Sequence, residues 1–153
     1  MTDTTLTYTT VTIEPLGSLE SLKQVVRSCG LPVDDIGDFS GAQFFGISEG
    51  DALIAVVGLE LHGNCGLLRS LAVLPNYRNA GLGDTLVNHI ESVAKQCGVE
   101  QLYLLTTSAE DYFLRLGYVR LNREGAPQAI QATSQFAGLC PASSALLMKQ
   151  LIT

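Results

Sequence analysis

The stretch 71–83 constrains the fold most, because the apolar pattern changes period within it. Up to Leu74 apolar residues follow one another almost without interruption, as in a buried strand. Past Pro75 they recur every three or four residues, at Leu82, Leu86, Ile90, Val93 and Cys97, which gives one apolar face to a helix over about 82–97 that Gly98 stops. A strand, a bend and then Gly81-Leu82-Gly83 at a helix start leave backbone amides without helical partners, aimed at one spot. Such an end carries roughly half a positive charge, and glycines let the oxygens of an anion come close to it. Arg78 adds a formal charge. The segment predicts a cradle for a diphosphate.

The rest of the chain fixes the class. Runs at 43–48, 52–61 and 66–74 read as strands joined through Glu49-Gly50-Asp51 and Gly63-Asn64, an antiparallel meander. Before them come a strand over 6–13 and a helix over 18–29, with Leu19, Leu22, Val25 and Val26 on one face and Gly30 as its stop. A turn over 31–35 then leads into a short helix over 35–39. After the central helix the pattern predicts a strand over 101–107 and a short helix opened by a Ser108/Asp111 capping box and closed at Gly117. A strand over 118–121, a helix from Pro127 to about Phe136 and a strand over 145–151 complete the order. Strands that follow one another without intervening helices make the class α+β. With 153 residues, 46% of them hydrophobic, and no repeat or linker, one domain is expected.

Several functions are disfavoured by composition. A net charge of -6 argues against nucleic acid as a partner, so an anionic ligand must be caught locally. The longest apolar run, 52–61, is too short for a bilayer helix, and the threonine-rich start lacks the features of a signal peptide; no membrane partner and a cytoplasmic location are expected. Cys29, Cys65, Cys97 and Cys140 lie far apart without metal-ligand spacing, so reduced, mostly buried thiols and no metal are expected.

The cradle lacks the three glycines of a dinucleotide fingerprint and the Gly-Lys-Ser/Thr of a nucleoside-triphosphate loop. Arg78-Asn79-Ala80-Gly81-Leu82-Gly83 after Val73-Leu74-Pro75 instead resembles the GNAT superfamily of N-acetyltransferases, over roughly residues 40–121. The resemblance implies a mixed, mainly antiparallel sheet of six to seven strands flanked by four to five helices, with acetyl-CoA as cosubstrate. It implies that the backbone of Leu71, Ala72 and Val73 meets the pantetheine and that Arg78, Asn79, Ala80, Gly81, Leu82, Gly83 and Asp84 surround the pyrophosphate.

If Gly63-Asn64 is a two-residue turn, Glu60 and Arg69 project from one sheet face as diagonal neighbours, and Ser70 faces the other way. An ammonium must lose a proton before it attacks, which makes Glu60 the candidate base. A planar guanidinium suits a carboxylate, which makes Arg69 a candidate substrate ligand. A purely structural ion pair is the competing reading. The stretch 108–118 resembles the superfamily's Phe-Tyr-x-x-x-Gly-Phe segment, but Phe113 stands where a tyrosine acid is expected. Tyr112 is its neighbour and the candidate proton donor, with core packing as the alternative.

Thr106-Thr107-Ser108 resembles the branch containing N-acetylglutamate synthase-like enzymes. Leu67-Leu68-Arg69-Ser70 and the stretch 136–144 resemble the arsenic-resistance N-acetyltransferases more closely. These resemblances imply a small amino-acid-like amine as substrate, such as the glutamate mimics arsinothricin or phosphinothricin, contacted by Asp35 in the 31–39 loop and by Cys140. No histidine pairs with Cys140, since His62 reads as turn and His89 as helix, so direct transfer is expected over covalent catalysis. The loss of the tyrosine leaves a second reading, a non-catalytic acyl-CoA sensor or ligand-sequestering module. An edge strand near 145–151 could pair across a homodimer.

Overall fold

The computed structural model describes residues 12–16, 19–31, 42–133, 135–139 and 144–151. The short helix expected over 35–39 lies outside these residues, as does the expected strand over 6–13 apart from residues 12 and 13, which are not in a strand. Asp35 and Cys140 also lie outside them.

The strands are β1 (Glu14–Pro15), β2 (Ala42–Glu49), β3 (Ala52–His62), β4 (Cys65–Val73), β5 (Gln101–Thr106), β6 (Val119–Leu121) and β7 (Ala145–Gln150). The helices are α1 (Leu19–Ser28), α2 (Leu82–Gln96), α3 (Glu110–Arg115) and α4 (Gln128–Gln131), with 3-10 turns at Pro75–Tyr77 and Arg123–Gly125 and a π turn at Gln135–Leu139. The seven strands form one sheet in the order β1-β2-β3-β4-β5-β7-β6. The β4–β5 pair is parallel, and the β1–β2, β5–β7 and β6–β7 pairs are antiparallel. This is the expected mixed α+β arrangement. No helix among the described residues is long and apolar enough to cross a membrane.

The expected edge strand is corrected. β7 pairs with β5 on one side and β6 on the other, so β6 takes the edge. Leu146 and Leu147, successive residues that point to opposite faces, are both fully buried, which suits a strand covered on both faces. β6 is short and has Val119 and Arg120 exposed, as an edge tolerates.

By their contacts the residues group into two units, 1–58 with 70–90, and 59–69 with 91–153. In the first, Leu22, Val25 and Val26 of α1 pack with Val56 of β3 and Ala72 of β4, joined by Leu16, Cys29, Leu31, Phe44, Leu53 and Leu74. The α1 face is the one its spacing predicts. Gly30, at φ 78°, takes the left-handed conformation that spares glycine a Cβ clash. Its N–H donates to Arg27 and that of Leu31 to Val26, a Schellman stop that turns Leu31 into the core. Phe45 meets the edge of His89 with ring centroids 4.8 Å apart.

In the second unit, Cys65, Leu67, Tyr103, Ala126, Ile130 and Leu146 form the core. Gly98-Val99 and Gly117-Tyr118 stop α2 and α3 with the same pair of bonds as Gly30-Leu31. Tyr118 is thereby buried, and its hydroxyl donates to Glu91 Oε2 at 2.9 Å. Lys149 Nζ reaches both Glu91 oxygens, at 3.2 and 3.1 Å, and the Leu116 carbonyl at 2.9 Å. Burial and the Glu91 carboxylate push the Tyr118 phenol far above its usual range, so it stays protonated.

Two helix boundaries depart from expectation. No side chain caps α3; Thr106 Oγ1 accepts from the Ala109 amide at 2.9 Å, in place of the Ser108/Asp111 box. The helix from Pro127 ends at Gln131 because the Thr133 hydroxyl donates back to the Ile130 carbonyl and accepts from the Phe136 amide. A threonine that bonds its own backbone competes with helix continuation.

Two measurements follow from these contacts. The buried Nε2 of His89 has no hydrogen-bond partner, and burial lowers the imidazole pKa from its usual 6.5. The unfolded chain then binds the proton more readily, so stability falls as pH drops below about 6.5. Denaturant titrations at pH 7.5 and 5.5 should show His89→Leu gaining on the wild type at the lower pH; an equal difference at both would refute the assignment. Tyr118→Phe removes a buried hydroxyl from Glu91 and should cost about 1–3 kcal/mol by chemical denaturation.

Candidate active site

The cradle belongs to the first unit and is built from the end of β4. Ser70 has φ 58°, an uncommon conformation for a residue with a Cβ, so the strict alternation that would set Ser70 opposite Arg69 breaks at that residue. Leu71, Ala72 and Val73 resume the strand, with Ala72 buried in the core and the backbone left to do any binding. The chain then bends through the 3-10 turn, held by Tyr77 N–H to Leu74 at 2.9 Å and by Tyr77 Oη to Glu49 at 2.7 Å.

Two left-handed residues, Asn79 at φ 66° and Gly81 at φ 83°, flank Ala80 and turn the chain into α2. The Gly81 carbonyl accepts the first helical bond, from the Thr85 amide at 3.0 Å, and also the Thr85 hydroxyl at 2.9 Å. Gly81 is therefore the cap residue, and it has no side chain with which to cap. The amides of Leu82 and Gly83 open the helix, with Asp84 in the same first turn. A Cβ built on Gly81 meets nothing within 4 Å. Anion-sized access to these amides is what such a start provides.

Arg78 folds back onto the strand. Its Nε donates to the Val73 carbonyl at 2.9 Å and its Nη2 lies 3.7 Å from Cys29 Sγ, which itself lies 3.6 Å from the same carbonyl. The sequence reading missed Cys29 as a neighbour of the cradle, since 49 residues separate it from Arg78. Of the three described cysteines only Cys65 is buried; Cys29 is half-buried and Cys97 exposed, which corrects the expectation of mostly buried thiols. Burial, and secondarily the Glu100 charge, push the Cys65 thiol up.

The second unit carries Glu60, Arg69 and Tyr112. Glu60 on β3 is 7% exposed, and its Oε2 accepts from Arg69 Nη1 on β4 at 2.9 Å. The two side chains share a face, as the turn at Gly63-Asn64 implies. Oε1 of the same carboxylate lies 3.0 Å from His62 Nε2. His62 is the last residue of β3, not part of the turn, and two residues along a strand return to the same face. The spacing Glu60-x-His62 could have shown this pair once the strand was extended by one residue.

Tyr112 is half-buried on α3, edge-on to Phe113 with centroids 5.0 Å apart, and Phe113 in turn meets Tyr118 at 5.5 Å. Phe113 has no hydroxyl, and that of Tyr118 donates to Glu91. Among the described residues no group of three or more His, Cys, Asp or Glu side chains could hold a metal ion.

Residues 19–118 match the Acetyltransferase (GNAT) family. An uncharacterised N-acetyltransferase of Chlorobaculum tepidum is 36% identical over 104 residues, 68% of this chain and 64% of that protein. The amino-acid acetyltransferase of Ralstonia nicotianae is 33% identical over 116 residues, 76% of this chain but 25% of that protein. The chain thus spans less than two thirds of the first relative and a quarter of the second. Among solved structures, N-acetylglutamate synthase of Neisseria gonorrhoeae, complexed with coenzyme A and N-acetyl-glutamate, matches with a TM-score of 0.80 at 21% identity, over 94% of this chain and 35% of that one. A GNAT acetyltransferase of Staphylococcus aureus matches with a TM-score of 0.77 at 19% identity, over 93% of this chain and 99% of that one. At such identities the structures bear on the fold, while the family match covers most of the sequence. On that match, and with the strand, bend and glycine-capped helix it encompasses, this chain belongs to the acetyltransferase (GNAT) family.

Proposed function

We propose that the whole chain acts as one transferase domain, moving an acetyl group from acetyl-CoA directly to the primary amine of a small amino-acid-like substrate. The observation that carries the substrate class is the Glu60–Arg69 pair at 2.9 Å, which sets a carboxylate beside a guanidinium fork on adjoining strands. The amino-acid acetyltransferases among the sequence relatives, and the N-acetyl-glutamate in the Neisseria complex, favour the same class. Within it, the stretches 67–70 and 136–144 favour glutamate mimics such as arsinothricin and phosphinothricin.

The backbone of Leu71, Ala72 and Val73 meets the pantetheine in this reading, and the amides of Leu82, Gly83 and Asp84, with Asn79, Ala80 and Arg78 around them, meet the pyrophosphate. Glu60 takes the proton that makes an ammonium nucleophilic. The amine nitrogen then bonds to the thioester carbonyl carbon, the carbon–sulfur bond breaks, and the thiolate leaves with a proton from Tyr112 or water. A thiol with an ordinary pKa near about 8.5 is a tolerable leaving group, so the loss of a tyrosine at Phe113 does not forbid turnover. Arg69 is the candidate ligand for the substrate carboxylate, and its side chain is 1% exposed, so that role is the one the experiment must decide.

Two sets of variants test the reading. For the cradle, Gly81→Val places a side chain where φ is 83° and beside the helix amides, and Arg78→Ala removes the cation. Each should weaken coenzyme A binding about tenfold or more by calorimetry, in line with a loss of about 1.4 kcal/mol or more. For the acceptor, thiol release is followed with acetyl-CoA and a panel of glutamate, phosphinothricin, arsinothricin and an amine lacking the carboxylate. Glu60→Gln should lower kcat by about 10² to 10⁴. Arg69→Lys keeps the charge but loses the fork, and should raise KM for the amino acids about tenfold while leaving the carboxylate-free amine unchanged. Coenzyme A binding without thiol release across the panel would favour a sequestering module instead.

A further inference from the structure

We infer that His62 is the proton outlet of Glu60, a residue that acts through the base and connects it to water; this rests on the reading of Glu60 as the base. The carboxylate of Glu60 is nearly out of solvent, and each of its oxygens already has a protein neighbour, Arg69 Nη1 at 2.9 Å and His62 Nε2 at 3.0 Å. A proton arriving on such a carboxylate must leave before the next turnover. Exposure of the three side chains rises from 1% at Arg69 through 10% at Glu60 to 28% at His62. A guanidinium holds its proton permanently and cannot accept another. Imidazole is the side chain that exchanges protons around neutral pH, and His62 is the member of the trio that reaches solvent.

The step balances with no further reactant. The acceptor ammonium gives one proton to the Glu60 carboxylate, leaving a neutral amine with its lone pair. In the tautomer of the neutral ring that carries its proton on Nδ1, Nε2 can accept that proton from Oε1. Glu60 is again a carboxylate and His62 an imidazolium, which releases a proton to water. Nothing is oxidised or reduced, and the net transfer is one proton from amine to solvent.

Among the described residues, His62 has the following charged and titratable neighbours. Glu60 lies on its own strand, and Arg69 on β4 adjoins it through Glu60. Across the two-residue turn stands Cys65, whose thiol points to Asn64 Oδ1 at 3.5 Å and is pushed up by burial, so it does not compete for the proton at neutral pH.

The test is the pH dependence of turnover for wild type, His62→Gln, His62→Ala and Glu60→Gln at saturating acetyl-CoA, with thermal melts as the folding check. The glutamine keeps an amide in place of the ring nitrogen but cannot carry a proton. Between about pH 6 and about pH 9 the wild type should lose turnover on the acid side, because an imidazolium has no lone pair with which to take a further proton. In His62→Gln that limb should vanish, with kcat at neutral pH down about tenfold and KM for acetyl-CoA unchanged. Added imidazole should restore turnover to His62→Ala. A His62→Gln enzyme with wild-type kcat and profile would overturn the outlet while leaving the base intact if Glu60→Gln is impaired. A loss that is equal at every pH and indifferent to imidazole would make His62 structural and overturn it as well. Wild-type turnover in Glu60→Gln would remove the base assignment itself.

Discussion

The helices α1, α2 and α3 end the same way, and much of the packing inherits its direction from that. In each case a left-handed glycine lets the next amide reach back five residues to the last turn, and the residue after the glycine is apolar: Leu31, Val99 and Tyr118. The backbone bond and the apolar contact are one event, because the turn that satisfies the carbonyls also aims the following side chain inward. For Gly30-Leu31 this closes the core beneath α1; for Gly117-Tyr118 it delivers a phenol to Glu91, where Lys149 completes the charge balance. A side chain at any of these glycines would disturb both halves of the device at once.

Electrostatics imposes the second constraint. A carboxylate as buried as Glu60 is costly unless its oxygens are satisfied, and breaking such a pair by removing one partner typically costs about 3–5 kcal/mol. Arg69 meets that demand at one oxygen with a fixed charge, while the His62 ring nitrogen beside the other is a donor or an acceptor according to its tautomer. The three side chains share a sheet face in a chain of the acetyltransferase (GNAT) family.

Much of this was legible from the residues, and the failures have physical causes. The meander, the α2 face as far as Ile90 and the glycine stops follow from period and from backbone freedom, which are local, whereas Cys97, expected on that face, lies past the helix end and is exposed. The Glu60–Arg69 contact followed from one assumed turn, because a short hairpin fixes register. Strand order at the far end did not, since nothing in 145–151 says which neighbours it will find; only its burial on both faces reveals a central place. Cys29 beside Arg78 depends on how α1 packs, a contact between residues far apart in sequence. His62 was missed by a single residue at a strand end, where boundaries are least certain. The stop at Thr133 needed the hydroxyl's own geometry, which composition does not display.

Gly81 has one more implication. A cap residue without a side chain has no oxygen of its own to offer the first amides of α2, as serine or aspartate would. An anion seated against those amides would supply the missing acceptor, so occupancy and local order become one equilibrium: the ligand completes a secondary-structure element as well as filling a pocket, and part of its binding energy is spent on firming up the scaffold that holds it.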